Sequence, residues 1–145
     1  MKNAKKHVFA VFAVLIFLTG TTGASEKQTE IPSEKEKIIV YYFHGSYRCP
    51  SCAKIEKWSY EAIKDSFPKA LKENRLLWKP VNVEKPENSH FIKKYNLFTK
   101  SLIITEVKGE KQTKWKNLEK VWLLLRDQRE FFAYVTQEVR NYLDN

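Results

Sequence analysis

Residues 38–57 read Ile-Ile-Val-Tyr-Tyr-Phe-His-Gly-Ser-Tyr-Arg-Cys-Pro-Ser-Cys-Ala-Lys-Ile-Glu-Lys. The apolar run Ile38–Phe43 belongs to a strand, Ile38–His44, of the kind that is buried on both faces, and Gly45 breaks it. Cys49-Pro50-Ser51-Cys52 follows, and Pro50 suits the first position of a helix, where its missing N–H costs nothing. Beyond it Cys52, Ile55, Ser59, Ala62, Ile63 and Phe67 recur three or four residues apart, which predicts one buried helical stripe ending at Pro68. A strand feeding a helix whose first turn carries Cys-x-x-Cys is the sequence form of a thiol–disulfide site. The chain has only these two cysteines.

Outward from this stretch, the N-terminus reads as a targeting segment. Lys2, Lys5 and Lys6 precede an apolar run, Val8–Leu18, and Thr22-Gly23-Ala24 provides small residues for cleavage before Ser25. Residues 1–24 are therefore expected to be a signal peptide, and the chain exported, periplasmic or secreted. Left uncleaved, the segment would anchor it to a membrane. Residues 25–37 hold a single large apolar side chain, Ile31, and are expected to be a flexible polar leader. One domain, 38–145, remains. Outside the cytosol a disulfide can form and persist.

The chain carries a net charge of +9, of which the three signal lysines account for a third. The other lysines alternate with glutamates, as in Lys35-Glu36-Lys37 and Lys108-Gly109-Glu110-Lys111. No Arg-rich tract or basic–aromatic alternation is present, so a solvated surface is expected and no nucleic-acid partner.

Leu76–Val83 is a second strand. Pro80 inside it cannot donate to a ladder and predicts an edge position. Ser89 is positioned to cap a short helix through Asn96. Leu102–Val107 and about Lys111–Lys116 form a hairpin turned at Gly109-Glu110. Asn117 is a candidate cap for a helical turn through Leu125. Asp127-x-x-Glu130 opens a last helix whose stripe is Phe131, Val135, Val139 and Tyr142. Trp58, Trp78, Trp115 and Trp122 are expected in the core. The order is β-α-β-α-β-β-α, with a parallel crossover first and an antiparallel hairpin later.

This order, with Cys-x-x-Cys opening the first helix, resembles the thioredoxin superfamily in its minimal, glutaredoxin-like form, over Ile38 to about Leu143. Val81-Asn82-Val83-Glu84 and Tyr95-Asn96-Leu97 are similar to a strand end and to the approach to the cis-proline loop of that superfamily. The resemblance implies a three-layer α/β/α sandwich on a four-stranded mixed sheet. The run Tyr41–Glu56 looks, more narrowly, like exported bacterial nitrophenyl-compound nitroreductase subunits, a label that implies redox work without establishing a nitroaromatic substrate. There are three departures: Ser101 aligns with the cis-proline, Phe43 with the proton-shuttling aspartate, and Arg48 with the tryptophan before the first cysteine.

Chemically, Cys49 at the helix N-terminus is expected to be the exposed nucleophile, favoured as thiolate by unpaired N–H groups and by Arg48. Cys52, on the apolar stripe, is expected to be the resolving thiol, the two forming a disulfide when oxidised. The Pro50-Ser51 insert resembles the Pro-x of glutaredoxins and oxidising members of the superfamily more than thioredoxin's Gly-Pro, a resemblance that implies a potential above that of thioredoxin. His44 is a candidate proton donor or charge neighbour, or a satisfied strand-end side chain. Glu56, one turn beyond Cys52, is a candidate proton carrier or a surface ion-pair partner. Ser101 is placed at the substrate groove by the alignment alone. No organic cofactor and no resident metal are expected, since the dithiol itself carries two electrons; Ala53 replaces the histidine that c-type haem attachment needs. The partners implied are protein or small-molecule disulfides and dithiols, or a membrane or periplasmic redox partner. The alternatives are a static structural disulfide, or a non-enzymatic module binding metal or a partner reductase, for which the expected mature chain offers only His44 and His90 beside the two cysteines. The sequence is silent on oligomeric state.

Overall fold

The structure, a computed structural model, describes residues 36–144. The expected signal peptide and residues 25–35 of the expected leader lie outside these residues. Strand β1 spans Glu36–His44 and begins two residues earlier than the sequence suggests. Glu36 and Lys37 are polar, yet they pair with Lys108 and Val107, and Glu36 forms an ion pair with Lys108 at 3.4 Å. Backbone pairing at a sheet end needs no apolar side chain, which is why composition placed the boundary too late.

Helix α1 (Pro50–Ser66) buries the expected stripe of Cys52, Ile55, Ser59, Ala62 and Ile63. Pro68 ends it but also starts a second short helix, α2 (Pro68–Lys72), which the sequence reading missed. Asn74, in the left-handed region (φ 56°), closes α2, with Arg75 N–H donating to Ala70 O at 2.9 Å and Asn74 N–H to Leu71 O at 3.1 Å. This double bond pattern satisfies carbonyls that a helix end leaves unpaired. β2 (Leu76–Asn82) then runs parallel to β1. It is an edge strand, and Pro80 is exposed on it as its missing donor requires.

A 3-10 turn at Pro86–Asn88 leads into α3 (His90–Lys94). Ser89 does not cap α3 through its side chain; its backbone is already helical, and its hydroxyl donates to Pro86 O at 2.8 Å. Asn96 (φ 50°) closes α3 as Asn74 closes α2. β3 (Ser101–Lys108) and β4 (Lys111–Asn117) form the expected hairpin. Leu118, rather than Asn117, precedes the next turn, a 3-10 turn at Glu119–Trp122. The Asn117 amide instead reaches the Glu119 carboxylate at 3.4 Å. α4 (Gln128–Leu143) is capped by Asp127, whose carboxylate accepts from Glu130 N–H at 3.0 Å. Only half of the capping box forms, since Asp127 N–H donates to Leu124 O.

The sheet order is β2-β1-β3-β4, with β1 antiparallel to β3 and β3 to β4. The result is the thioredoxin-like arrangement of an open, four-stranded mixed sheet between helical layers. One face of the sheet (Ile38, Val40, Tyr42, Leu102, Ile104) packs against Ile55, Ala62 and Ile63 of α1 and Phe131, Val135 and Val139 of α4. The other face (Phe43, Ile103) packs against Tyr95, with Tyr41, Val81, Phe91 and Leu97 around it. Of the four tryptophans, Trp58, Trp78 and Trp122 pack on the main core, whereas Trp115 is 42% exposed and meets Tyr95 edge-on.

The hairpin carries a buried charge. A bulge puts Thr113 between the pairs Glu106–Lys114 and Val107–Gln112, and the Thr113 hydroxyl donates to Glu106 Oε1 at 2.6 Å. Lys114 Nζ lies 2.8 Å and Lys108 Nζ 3.5 Å from the same carboxylate, which is 4% exposed. These donors, Lys114 first, hold the Glu106 carboxyl down from the ordinary 4.5 to about 2. A depressed acid contributes stability that is complete above its unfolded value and is lost as pH falls toward its folded value. Denaturant titrations should therefore show stability declining from about pH 4.5 toward pH 2. Glu106→Gln should remove that part of the decline, on the order of 2 kcal/mol after allowing for the half-exposed lysines.

Candidate functional site

The dithiol follows β1 at the end of the sheet where β1, β2 and β4 finish and β3 begins. Here the chain leaves β1, crosses a four-residue turn, Gly45–Arg48, and enters α1 through Cys49. Cys49 and Cys52 are joined as a disulfide, with Cα atoms 5.0 Å apart. Cys49 occupies the cap position of α1 in extended backbone, and its Sγ accepts the Cys52 N–H at 3.1 Å. Sulfur thus does what a serine or aspartate oxygen does at other helix starts, and a thiolate there would receive the same donor and the positive end of the helix dipole. Cys49 is partly exposed and Cys52 is 1% exposed. Pro50 and Ser51 are exposed in the first turn.

Arg48 is the hub of the surrounding contacts. Its guanidinium forms an ion pair with Glu56 through Nη1, with a second contact at 3.4 Å. Nη2 lies 3.1 Å from His44 Nε2, and the group sits 5.9 Å above the ring of Tyr42. The sequence reading had Arg48 lending its positive charge to Cys49. The geometry pairs that charge with Glu56 instead, so the helix N-terminus is the clearer source of anion stabilisation. Glu56 is thus the ion-pair partner of Arg48 in this structure.

The facing of β1 residues revises one alignment. Phe43 turns away from α1 and packs with Tyr95 and Ile103 on the opposite face, its ring 5.4 Å from that of Tyr95. Strand side chains alternate, so the last β1 residues facing α1 are Tyr42 and His44. Tyr42 is fully buried, and its hydroxyl donates to Cys52 O at 2.8 Å. The sequence reading missed Tyr42 as a site residue. Its signal was available: a phenol on the inward face of a buried strand needs a hydrogen-bond partner, and the nearest helix start is the dithiol. His44 Nδ1 lies 2.8 Å from Gly45 O. Burial lowers the His44 pKa below its ordinary 6.5, against the raising effect of the Gly45 carbonyl; Arg48 lowers it further and Glu84 opposes.

A second missed contribution comes from the segment after β2. Glu84 Oε2 accepts Ser46 N–H at 2.9 Å, Asn82 Nδ2 donates to Ser46 Oγ at 3.1 Å, and Asn82 Oδ1 accepts Glu84 N–H at 3.0 Å. The Ser46 bonds hold the Glu84 carboxyl below its usual range. Gly45 is required for this approach, since a Cβ there would overlap Glu84 Oε1 and stand 3.0 Å from its carboxyl carbon.

Ser101 begins β3 opposite Phe43, and its hydroxyl donates to Thr99 O at 2.9 Å. It lines a cavity of about 360 Å³ with Tyr95, Phe98, Trp115 and Trp122, on the face of the sheet away from α1, and neither cysteine lines that cavity. His90 sits on α3, its Nδ1 2.9 Å from Glu87 O. Among the described residues no three His, Cys, Asp or Glu side chains are gathered to hold a metal ion. Nor, among them, is any helix long and apolar enough to cross a membrane.

No family model matches the chain, and no curated protein matches it. The narrower likeness to nitrophenyl-compound nitroreductase subunits thus gains no support. Among solved structures, similar ones include a thioredoxin from Thermus thermophilus, 17% identical over 71% of this chain and 74% of that one, with a TM-score of 0.46. Thioredoxin from Fasciola hepatica is 17% identical over 70% and 80%, with a TM-score of 0.41. Oxidised thioredoxin from Plasmodium falciparum is 15% identical over 69% and 86%, with a TM-score of 0.40. At this level of likeness the strand order and the place of the dithiol, not the superposition, identify the fold as thioredoxin-like.

Two substitutions test the geometry. Tyr42→Phe should cost about 1 kcal/mol in chemical denaturation, the net value of one buried hydrogen bond. Gly45→Ala should destabilise the parent but add almost nothing in a Glu84→Ala background, because both changes break the same Glu84–Ser46 contact. Additive losses in that cycle would contradict the clamp.

Proposed function

We propose that the chain is a thiol–disulfide oxidoreductase. One observation carries this reading: the Cys49–Cys52 pair closes as a disulfide at a helix start, with the outer sulfur partly exposed and bonded to a helix N–H. In the reduced protein the Cys49 thiolate attacks a sulfur of the substrate disulfide. A mixed disulfide forms and the first substrate sulfur leaves as a thiol. Cys52, deprotonated, then attacks Cys49 Sγ, which closes the protein disulfide and releases the second substrate thiol. Two electrons and two protons have passed to the substrate. In the reverse direction a dithiol attacks Cys49 Sγ, the accessible sulfur, and the protein is reduced.

Exact residue roles follow from position: Cys49 as nucleophile, Cys52 as resolver. Export, from the reading of residues 1–24, would keep the couple in an oxidising compartment and make periplasmic or secreted proteins, or a membrane-bound redox protein, its natural partners. The substrate class is a disulfide or dithiol; a nitroaromatic substrate has no support in the site.

Equilibrating the full chain with glutathione buffers should give one reversible two-electron couple, lying above about −270 mV, the thioredoxin value. Cys52→Ser should accumulate trapped mixed disulfides, and Cys49→Ser should abolish both exchange and trapping. A chain with no reversible couple, whose disulfide is merely structural, would overturn the reading.

A further inference from the structure

His44 is nine-tenths buried and uses both ring nitrogens. A carbonyl oxygen only accepts a hydrogen bond and a guanidinium only donates. Nδ1, at Gly45 O, must therefore carry the proton, and Nε2 must offer its lone pair to Arg48. That assignment describes a neutral imidazole. A protonated ring has no lone pair for Arg48 and would set two cations 3.1 Å apart.

We propose that His44 is a positioning residue of the dithiol: the neutral ring holds Arg48, and with it the turn that ends in Cys49, and protonating the ring releases both. The proposal rests on the oxidoreductase reading above. Arg48 directly precedes the nucleophile, so its side chain and the Cys49 backbone are not independent. Three other groups converge on this turn and on the helix start that follows it. Glu56 takes the guanidinium from α1, Glu84 takes Ser46 N–H from beyond β2, and the Tyr42 phenol takes the Cys52 carbonyl from β1. Only His44 among the groups holding the turn changes charge near neutrality.

The charges that face His44 are Arg48 from the turn, Glu56 behind it from α1, and Glu84 from the segment after β2, which itself feels Lys100 ahead of β3. Burial and Arg48 disfavour the cation, while Gly45 O and Glu84 favour it, with burial the largest effect. The release consequently falls on the acid side of 6.5. Stability linked to the neutral ring is complete above that value and is lost as pH falls below it.

The test is the pH profile of Cys49 alkylation by iodoacetamide in the reduced full chain. The parent should show two ionisations: the Cys49 thiolate, and a second step below pH 6.5 at the His44 midpoint read by NMR. His44→Gln keeps an acceptor for Arg48 and a donor for Gly45 O, so it should retain the parent rate near neutral pH while losing the second step. His44→Leu loses the acceptor and should slow alkylation about threefold, the change that about half a unit in thiolate pKa produces. Equal rates and one shared ionisation in all three proteins would overturn the proposal. NMR of the unsubstituted chain gives a readout independent of folding in the variants. An Nδ1–H tautomer near neutral pH is expected; an Nε2–H tautomer or a cationic ring there would overturn it. Loss of the reversible couple would instead fail the oxidoreductase reading, whereas a normal couple with unchanged profiles would fail only this one.

Discussion

The hydrogen bond from the Tyr42 phenol to the Cys52 carbonyl joins the buried central strand to the first turn of the helix that carries the dithiol. A helix start is held laterally only by its side-chain packing, because its first N–H groups point along the axis. Here Ile55 packs into the main core and Cys52 is buried, and Tyr42 adds a directional tie at the residue whose N–H caps onto Cys49 Sγ. Both amide groups flanking the Cys52 α-carbon are thereby engaged at the site. The outer sulfur can be exposed because the inner one is anchored so firmly.

That anchoring has a counterpart on the turn. Gly45–Arg48 is bound on one side by Glu84 and Asn82 and on the other by His44 and Glu56. The Arg48–Glu56 ion pair is about one-third exposed, and a pair of that kind contributes little stability by itself. The effect of these contacts is geometric: four side chains, from β1, α1, the end of β2 and the segment just after it, leave the turn few alternative conformations. A segment with no internal ladder is ordered by side chains reaching in from outside it.

The two faces of the sheet are built unequally. Three helices and a 3-10 turn cover the face with Val40 and Tyr42, whereas a five-residue helix and its flanking aromatics cover the other. Stacked and tilted rings of Tyr41, Phe43, Phe91 and Tyr95 replace the second layer's missing helical area. Aromatic side chains suit this position, since each covers much area with few rotatable bonds. Trp115 and the Ser101 cavity lie at the margin of that thinner layer.

Much of the architecture was legible in the sequence because it follows from local rules. Pro50 and the three-to-four spacing after it set α1; Pro80 set the edge; Asp127 set the start of α4; and the placement of two cysteines at a helix start marked the site. Each depends on residues within a turn or a strand of one another. Short elements were less legible: α2, the bulge at Thr113 and the ends at Glu36 and Asn74 depend on backbone pairing that side-chain type hardly registers. The neighbours of the dithiol were the least legible. Alignment set Phe43 beside the site, but strand alternation in the folded sheet turned Phe43 away and brought Tyr42 and His44 in. Glu84 and Glu56 lie 38 and 8 residues from the groups they hold. By itself the sequence determined most of the longer elements and singled out the cysteine pair at a helix start. Only the tertiary structure decided which side chains surround that pair, because contact across a sheet depends on register and facing, and neither is a property of a local segment.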